Sequence, residues 1–358
     1  MENRILGIDF ARALALIGMI IVNFKIFFGE SGNELLVYLA STIEGKASAT
    51  FVFLAGTAMA LMSNNAIKQN NQEKISFIKT KIFKRAIFLF IFGLLFVLVW
   101  DGDILHFYGV YMVISIYFIT KKSSGIFFGV FCFMVIYLIL FFIFDYDKGW
   151  NFELLEYLGF WSIDGFIRNL FFNGFHPVFA WVVFMLVGLW FGKQNINDTR
   201  FLKKVFFISL CIFIFIHISS KFLISFIGNG DSVLIEELNY LIGTQAMPPL
   251  IIYLLNGIFI SLVIVSASIL FAKKFSQSKI ILALNKMGQL SLSFYIFHVI
   301  LGIIPFILID ENIMGSFCIE FSLIYSFIFI IFCILFANIW LKYNTYGPFE
   351  FLMRKISS

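Results

Sequence analysis

Charged residues are scarce in this chain of 358 residues. Asp, Glu, Lys and Arg make up 13% of it, against about 25% in a typical soluble domain. Hydrophobic residues make up 61%, and the mean hydropathy is +0.97. A soluble globule of this length cannot hide so much apolar surface, so the composition excludes a soluble enzyme and a nucleic-acid-binding protein.

Cysteine is also scarce, with four residues in the whole chain. No CxxC or Cys/His spacing typical of a zinc site occurs. The Walker, GxGxxG, HExxH and GxSxG motifs are also missing from the sequence. We therefore predict no metal centre, no ATP-driven transport and none of the common soluble hydrolase mechanisms.

Long apolar runs and 51 Phe residues are what the chain has instead. Disordered chains are poor in aromatic residues, so disorder is excluded. The apolar residues form unbroken runs and do not alternate with polar ones, which argues against a membrane β-barrel. The predicted fold class is all-α: a polytopic helical membrane protein.

About 20 apolar residues cross a bilayer, and by this measure the chain has about ten transmembrane helices in a single domain over residues 1–358. The first span is too long for a cleaved signal peptide. The predicted spans are residues 10–28, 48–64, 86–100, 104–120, 125–144, 176–192, 205–227, 248–271, 289–308 and 317–341.

The loops predict the orientation. Lys and Arg concentrate in alternate loops, among them 65–85 and 193–204, and acidic residues concentrate in the others. Because Lys and Arg stay on the cytoplasmic side, we expect both termini to be cytoplasmic in a bacterial cytoplasmic membrane. The net charge of +5 then reflects orientation and predicts no nucleic-acid partner. We expect the outer loop 145–175 to form an amphipathic helix on the membrane surface.

Polar side chains inside a span are costly unless paired or solvated, so they mark candidate functional positions. Asp9 and Arg12 are three residues apart at the inner end of span one, where they can pair; otherwise Arg12 anchors the helix at the lipid headgroups. Asn23 lies near the outer end of that span, where Asn is commonly an interhelical hydrogen-bonding residue. Glu34 in the next outer loop either stays solvated or folds back towards Asn23.

Two histidines lie at outer helix ends. His106 follows Asp103 by three residues at the mouth of span four, so the carboxylate can orient the ring for general-base catalysis. The alternative is a hydrated histidine at a helix end. His176 precedes Pro177 at the start of span six, as a second candidate base or as a helix-capping residue.

His298 lies in mid-span, with Tyr295 on the same helix face. The pair is either a hydrogen-bonded part of the core or part of a buried ligand path. His217 has no acidic neighbour in sequence, and we expect it to be structural.

A resemblance begins in span one. Residues 4–23, which include Asp9, Arg12 and Asn23, resemble the opening of the transmembrane acyltransferase superfamily. More narrowly, they resemble YeiB-like bacterial membrane proteins related to heparan-alpha-glucosaminide N-acetyltransferase. Further similar segments, in family order, are Gly45-Lys46 with Phe51-Val-Phe-Leu-Ala-Gly56, Gly102-Asp103-Ile-Leu-His106-Phe-Tyr-Gly109, Gly288-Gln-Leu-Ser-Leu-Ser-Phe-Tyr295-Ile-Phe-His298, and the tail Tyr346-Gly-Pro-Phe-Glu-Phe-Leu-Met-Arg354.

The chain departs from the superfamily at its marker histidine. One branch of the superfamily has, in its active region, an Arg and a His at a fixed separation along the chain. Arg12 matches the Arg, and Asn23 stands at the position of the His. The branch containing heparan-alpha-glucosaminide N-acetyltransferase also has Asn there, with its catalytic His further along the chain. This sequence has Glu34 at that later position.

The resemblance implies a membrane-embedded acyltransferase. It would move an acyl group, in the first instance acetyl, from cytosolic acyl-CoA to a hydroxyl or amine of an envelope or lipid-linked acceptor, a small molecule or a glycan. We predict His106 as the base, oriented by Asp103, and Asn23 as the donor that stabilises the oxyanion. His176 and Glu34 are alternative bases. The residues predicted to bind the CoA phosphates are Arg12, Lys84 and Arg85, with Lys286 on the same basic rim.

The alternative is a transporter or lipid-binding membrane protein that performs no chemistry, with His298, Tyr295 and Asn256 lining a path. No inverted repeat or pair of interrupted spans supports it. Membrane lipids are partners under both hypotheses, and a homodimer is one assembly left open. Under the enzyme hypothesis, we expect Asn23, His106 and His176 to converge on one outward-facing cavity, with Arg12 below them.

Overall fold

The structure is a computed structural model that describes residues 5–152, 155–310 and 313–357. Helices joined by short turns make up almost all of it. The elements in chain order are α1 (Leu6–Phe28), α2 (Glu34–Ser41), α3 (Lys46–Lys68), α4 (Gln72–Val97), α5 (Leu105–Phe118), α6 (Ser123–Ile143), β1 (Trp150–Asn151), β2 (Glu156–Tyr157), α7 (Ile163–Arg168), a π-helical turn (Asn169–Asn173), α8 (Val178–Lys193), α9 (Thr199–Gly228), α10 (Ser232–Ile242), α11 (Ile251–Lys274), α12 (Lys279–Gln289), α13 (Ser291–Ile300), α14 (Ile304–Ile307), α15 (Ile319–Tyr343) and α16 (Pro348–Ser357).

The prediction of a multi-pass helical membrane protein is confirmed. Among the described residues, six helical segments are long and apolar enough to cross a membrane, and eight qualify if each of two bent helix pairs is one span. The pairs are α7 with α8, bent by 44°, and α12 with α13–α14, bent by 75°. The six segments are α1, α2–α3, α6, α9, α11 and α15.

Each of the ten predicted spans coincides with helical structure, but the match is not uniform. Helix α5, in predicted span four, has 14 residues, fewer than the roughly 20 that cross a bilayer. Predicted span nine, residues 289–308, is divided between α13 and α14. The count of ten and the cytoplasmic position of both termini stay predictions.

The chain divides into two compact units, and the expectation of a single transmembrane domain stays a prediction. The first unit comprises Met1–Phe51, Leu202–Phe206 and Leu262–Lys355; the second comprises Val52–Phe201, Phe207–Ser261 and Ile356–Ser358.

Helix α1 is the centre of the first unit, where it packs against α2, α12, α13 and α15. Small residues allow these helices to approach closely. A Cβ atom on Gly288 would lie 1.8 Å from the carbonyl oxygen of Asp9, and one on Gly18 would lie 2.8 Å from the Cβ of Ala47. The C-terminal end of α1 packs into a cluster of aromatic rings, in which Phe28 contacts Phe306, Phe321 and Tyr325.

In the second unit, α5 packs against α4 and α8, and α6 packs against α8. Two glycines bring α3 and α8 into backbone contact. A Cβ on Gly56 would lie 1.9 Å from the carbonyl oxygen of Met185, and a Cβ on Gly188 would lie 1.9 Å from that of Phe53. Trp181 of α8 is completely buried in this core.

The prediction of one amphipathic helix in the outer loop 145–175 is wrong. Trp150 pairs with Tyr157 in a short antiparallel hairpin, and a helix begins only at Ile163. Gly149 and Gly159 take φ values of +92° and +75°, a left-handed conformation that glycine adopts readily and that interrupts a right-handed helix. Leu154, one of the apolar positions behind this prediction, lies outside the described residues.

Buried Asn173 holds the loop together. Its side-chain Nδ2 donates to the carbonyls of Tyr146 and Lys148, at 2.7 and 2.9 Å, and its Oδ1 accepts from the hydroxyl of Tyr157. The indole N–H of Trp150 donates to the backbone carbonyl of Asn173 at 2.6 Å. These long-range bonds satisfy the polar groups of the loop in place of a helical ladder.

Candidate functional site

The second unit contains a buried carboxylate–histidine pair at the start of α5. Oδ2 of Asp103 lies 3.0 Å from Nδ1 of His106. The two side chains are 0% and 1% exposed. Both residues were predicted from their spacing, and the structure brings them into direct contact.

Local sequence explains why the pair forms. The turn that contains Asp101 and Asp103 joins α4 to α5, so Asp103 lies two residues before the first helical residue, Leu105. There its Oδ2 also accepts the backbone N–H groups of Leu105, at 2.8 Å, and His106, at 3.2 Å. The carboxylate thus caps α5 in the manner of an acidic residue at a helix N-terminus.

Close helix packing fixes the position of His106. A Cβ on Gly93 of α4 would lie 2.2 Å from the backbone nitrogen of His106, and one on Gly109 of α5 would lie 2.6 Å from the carbonyl oxygen of Ala86. The backbones of α4 and α5 are therefore in contact at both glycines. This contact leaves the His106 backbone little freedom to move.

The chemistry of the pair sets the tautomer of His106. Oδ2 of Asp103 accepts two backbone N–H groups, so it is also the acceptor towards the imidazole, and Nδ1 of His106 carries the proton of this bond. Nε2 is then the basic nitrogen. It is buried and has no hydrogen-bond partner among the described residues. An oriented imidazole with an unoccupied Nε2 is the arrangement that a general base requires.

His176, the alternative base, lies near His106 in the same unit. Both imidazoles contact the ring of Phe107, with centroid separations of 4.0 Å for His106 and 5.9 Å for His176. The His176 ring also packs edge-on against Trp181 at 4.5 Å. The hydroxyl of Tyr111 donates to the backbone carbonyl of His176 and so ties α5 to the start of α8.

Asn23 and His298, placed in different hypotheses by the sequence, are hydrogen-bonded to each other in the first unit. Nδ2 of Asn23 lies 2.7 Å from Nε2 of His298, and Nδ1 of His298 bonds to the backbone carbonyl of Tyr295. Since a carbonyl only accepts, Nδ1 is protonated and Nε2 accepts from Asn23. Both ring nitrogens of His298 are occupied, so its ring has no basic nitrogen available in this arrangement.

The predicted CoA-binding residues have different surroundings. Arg12 pairs with Asp9 at 3.0 Å, the contact expected from their spacing. Arg85 donates from Nε to the hydroxyl of Ser357 at 3.2 Å and from a terminal nitrogen to Sδ of Met62 at 3.5 Å. Lys84 is exposed on α4. Their role in binding CoA stays a prediction.

Glu34 lies exposed at the first position of α2. The acidic residues that do contact α1 are Glu30 and Glu44, which both pair with Lys25. The ammonium group of Lys25 is buried and also donates to the hydroxyl of Ser41 at 2.8 Å. With three acceptors, all three of its N–H donors are satisfied. Lys25 was not among the residues predicted from the sequence, although a lysine inside a predicted span is itself a signal.

A family model described as heparan-alpha-glucosaminide N-acetyltransferase, catalytic, matches residues 4–227, well over half of the chain. The chain belongs to the heparan-alpha-glucosaminide N-acetyltransferase catalytic family. A second model, described as a protein of unknown function (DUF418), matches residues 189–358. No curated protein matches the chain. The resemblance inferred from the sequence motifs is therefore confirmed, and the chain is a multi-pass membrane protein of an acetyltransferase family.

The N-acetyltransferase match contains Arg12, Asn23, Asp103, His106 and His176, whereas His298 and Tyr295 lie within the DUF418 match. In this family member, the prediction that Asn23, His106 and His176 share one cavity joins residues of different units and stays a prediction. Within the second unit, the structure brings Asp103, His106 and His176 together.

Proposed function

We propose that this family member transfers an acetyl group from cytosolic acetyl-CoA, or another acyl group from its CoA thioester, to a hydroxyl or amine of an acceptor. One observation carries the proposal: the buried Asp103–His106 pair leaves Nε2 of His106 unpaired. A buried, oriented imidazole is costly to maintain and has a direct use in acyl transfer.

The chemistry balances with His106 as the base. Nε2 of His106 removes the proton from the acceptor hydroxyl or amine as that atom attacks the thioester carbonyl. The new C–O or C–N bond forms, the C–S bond breaks, and the proton passes from His106 to the departing CoA thiolate. Asp103 stabilises the imidazolium that exists between these steps.

The donor and the acceptor are assigned by charge and location. We assign the CoA phosphates to the basic residues Lys84 and Arg85 of α4, on the side where loop 65–85 is predicted to be cytoplasmic. Arginine and lysine are the usual protein partners of phosphate. We place the acceptor, a small molecule or glycan of the cell envelope, at the outer side of a bacterial cytoplasmic membrane.

The direct test uses the full chain in phospholipid nanodiscs with radiolabelled acetyl-CoA and a cell-envelope extract. The wild type is expected to label an extract component. His106→Gln, which keeps an N–H donor but loses the basic nitrogen, is expected to lower the rate by roughly 10²–10⁴-fold. His217→Gln, which removes an imidazole from α9, serves as the matched control and should keep the wild-type rate.

Two results contradict the proposal. The first is a folded wild type that labels no component of the extract and shows no heat of CoA binding by calorimetry. The second is His106→Gln with the same rate as His217→Gln.

A further inference from the structure

A long apolar groove runs along the exposed side of α4 in the second unit. One half is lined by Phe83, Lys84, Ile87, Phe88, Ile91 and Leu95, and has a volume of about 520 Å³. The other half shares Ile91 and Leu95 and continues to Leu98 and Trp161. Lys84 is the only charged residue among those that line it within the described parts of the chain.

The groove is preformed. The rings of Phe88, Phe92 and Phe96 stack at one-turn intervals along α4, with centroid separations of 5.8 and 6.0 Å. Ile91 and Leu95, on an adjacent line of the same helix, are 55% and 60% exposed. A rigid row of rings beside a row of aliphatic side chains suits one extended hydrocarbon chain better than a polar ligand.

The length of the groove points to a long chain. From Lys84 to Leu98, α4 rises roughly 21 Å at about 1.5 Å per residue. One leaflet contributes about half of a hydrocarbon core that is about 30 Å thick. The groove is therefore longer than one leaflet is deep, and a chain that fills it has to reach past the bilayer centre.

One end of the groove lies beside the candidate catalytic pair. The ring of Trp161, at that end, packs edge-on against Phe160 at 5.0 Å. Phe160 in turn packs edge-on against the imidazole of His106 at 6.0 Å. Tryptophan favours the headgroup level of a bilayer, so Trp161 marks the depth at which the polar part of a bound lipid would lie.

We propose that this groove binds the hydrocarbon chain of a lipid-linked acceptor and so presents its hydroxyl or amine to His106. The inference rests on the acetyl transfer proposed above and names the class of acceptor for the same site. The long chain holds the acceptor by burial of apolar surface, and the contact from Trp161 through Phe160 to His106 places the polar head beside the base.

The experiment compares two probes on the full chain in nanodiscs: octadecyl α-glucosaminide carrying a diazirine on its chain, and methyl α-glucosaminide. Both offer the same amine and hydroxyl groups, and only the first has a chain. Ile91→Trp fills the groove, whereas Ile139→Trp adds the same bulk at a half-exposed position of α6. Thermal unfolding of both variants verifies that they fold.

Photolabelling of the wild type is expected on peptides covering residues 83–98, and we expect Ile91→Trp to lower it by about fivefold or more while Ile139→Trp retains it. For acetyl transfer, the octadecyl probe should have a KM at least about tenfold below that of the methyl probe, since tenfold corresponds to only about 1.4 kcal/mol. Equal KM values, or label spread as evenly over α6 and α9 as over α4, overturn the inference.

Failure of the proposed function has a different signature. Label confined to residues 83–98 without acetyl transfer to either probe or to the envelope extract overturns the acetyltransferase proposal and leaves the lipid site standing. Rapid acetylation of both probes with no preference for the chain supports the enzyme and overturns the lipid-linked acceptor.

Discussion

Asn23 and His298 are 275 residues apart in sequence, yet the Asn23 amide donates a hydrogen bond of 2.7 Å to Nε2 of His298. The bond joins α1 to α13 at a completely buried imidazole. Because the other ring nitrogen is bonded to the carbonyl of Tyr295, the ring is held from both sides. One N–H of the Asn23 side-chain amide is therefore used by His298. The role predicted for Asn23, stabilising an oxyanion at the reacting carbonyl, would need its second N–H.

The first prediction concerns the stability that this bond supplies. Asn23→Leu keeps the size of the side chain and leaves Nε2 of His298 without its partner. An unsatisfied buried polar atom costs about 1–3 kcal/mol, so the free energy of unfolding should fall by that amount. Thermal or denaturant unfolding in detergent measures it.

Asn338→Leu is the matched control for Asn23→Leu. Among the residues that the structure describes, its amide donates only to the carbonyl of Ile334, within its own helix, at 2.8 Å. We expect a smaller loss of stability there, because no buried partner on another helix is left unpaired. Equal losses in the two variants would show that the contact with His298 contributes nothing specific.

The second prediction concerns the carboxylate that orients His106. Asp103→Asn keeps an oxygen that can cap α5 and removes the charge that stabilises the imidazolium. The rate of acetyl transfer should fall by about 10²–10⁴-fold with little change in stability, since an amide in this position favours the wrong tautomer. Steady-state rates, measured with the acceptor identified from the extract, test this prediction.

Asp101→Asn changes the neighbouring acid of the same turn and should alter the rate by less than about threefold, because within the described parts of the chain Asp101 bonds to no imidazole. An Asp103→Asn rate that matches that of Asp101→Asn would remove Asp103 from the mechanism.

The third prediction is a pH dependence at the C-terminal helix. The Glu350 carboxylate accepts the backbone N–H groups of Leu292 and Ser293 and the Ser293 hydroxyl. Burial nevertheless raises the pKa of Glu350 above its usual value of 4.5. Between pH 4.5 and the raised pKa, the folded state therefore binds more protons at Glu350 than the unfolded state does. The free energy of unfolding should decrease as the pH rises through this range.

Unfolding of wild type and Glu350→Gln across this pH range measures the effect. The variant does not ionise, so its stability should lose this part of the slope. Glu237→Gln, at an exposed position of α10, controls for a general change of charge. A wild-type slope of the opposite sign would contradict burial as the dominant cause.

The fourth prediction tests helix contact in the first unit. A Cβ on Gly288 meets the Asp9 carbonyl oxygen at 1.8 Å, a distance that no side-chain rotation relieves. Gly288→Ala should therefore destabilise the protein by about 1–3 kcal/mol or more, as overpacking does.

Gly125→Ala makes the same chemical change in α6, where the nearest atom, the Cβ of Lys121, lies 3.4 Å away. Alanine is about 1 kcal/mol better than glycine in a helix, so this variant should be neutral or slightly stabilising. Gly288→Ala should thus lower the melting temperature, whereas Gly125→Ala should leave it unchanged or raise it slightly.

Local interactions were predictable from the sequence. Apolar runs place the long helices, because a segment inside a membrane has to satisfy its own backbone hydrogen bonds. The Asp9–Arg12 and Asp103–His106 pairs follow from a spacing of three residues on a helix face or at a helix start. In both cases, the partners lie within one turn of each other.

Distant contacts were not predictable. Residues 289–308 form one apolar run, and the sequence did not indicate the bend of 75° between α12 and α13 at its start. The N–H groups freed at that bend are satisfied by Glu350, 58 residues later for Leu292. The Lys25 cluster and the Asn23–His298 bond likewise depend on which helices meet in space, and the order of residues in one span does not determine this.

The cap that Glu350 provides has a consequence for biosynthesis. The N-cap residue of α13, Leu290, makes no side-chain capping bond, and Glu350, which accepts the N–H of Leu292, follows that residue by 58 positions. At about 5–20 residues per second, a ribosome needs roughly 3–12 s to add that many residues. During this interval the N–H groups of Leu292 and Ser293 lack the acceptor that Glu350 gives them in the folded protein.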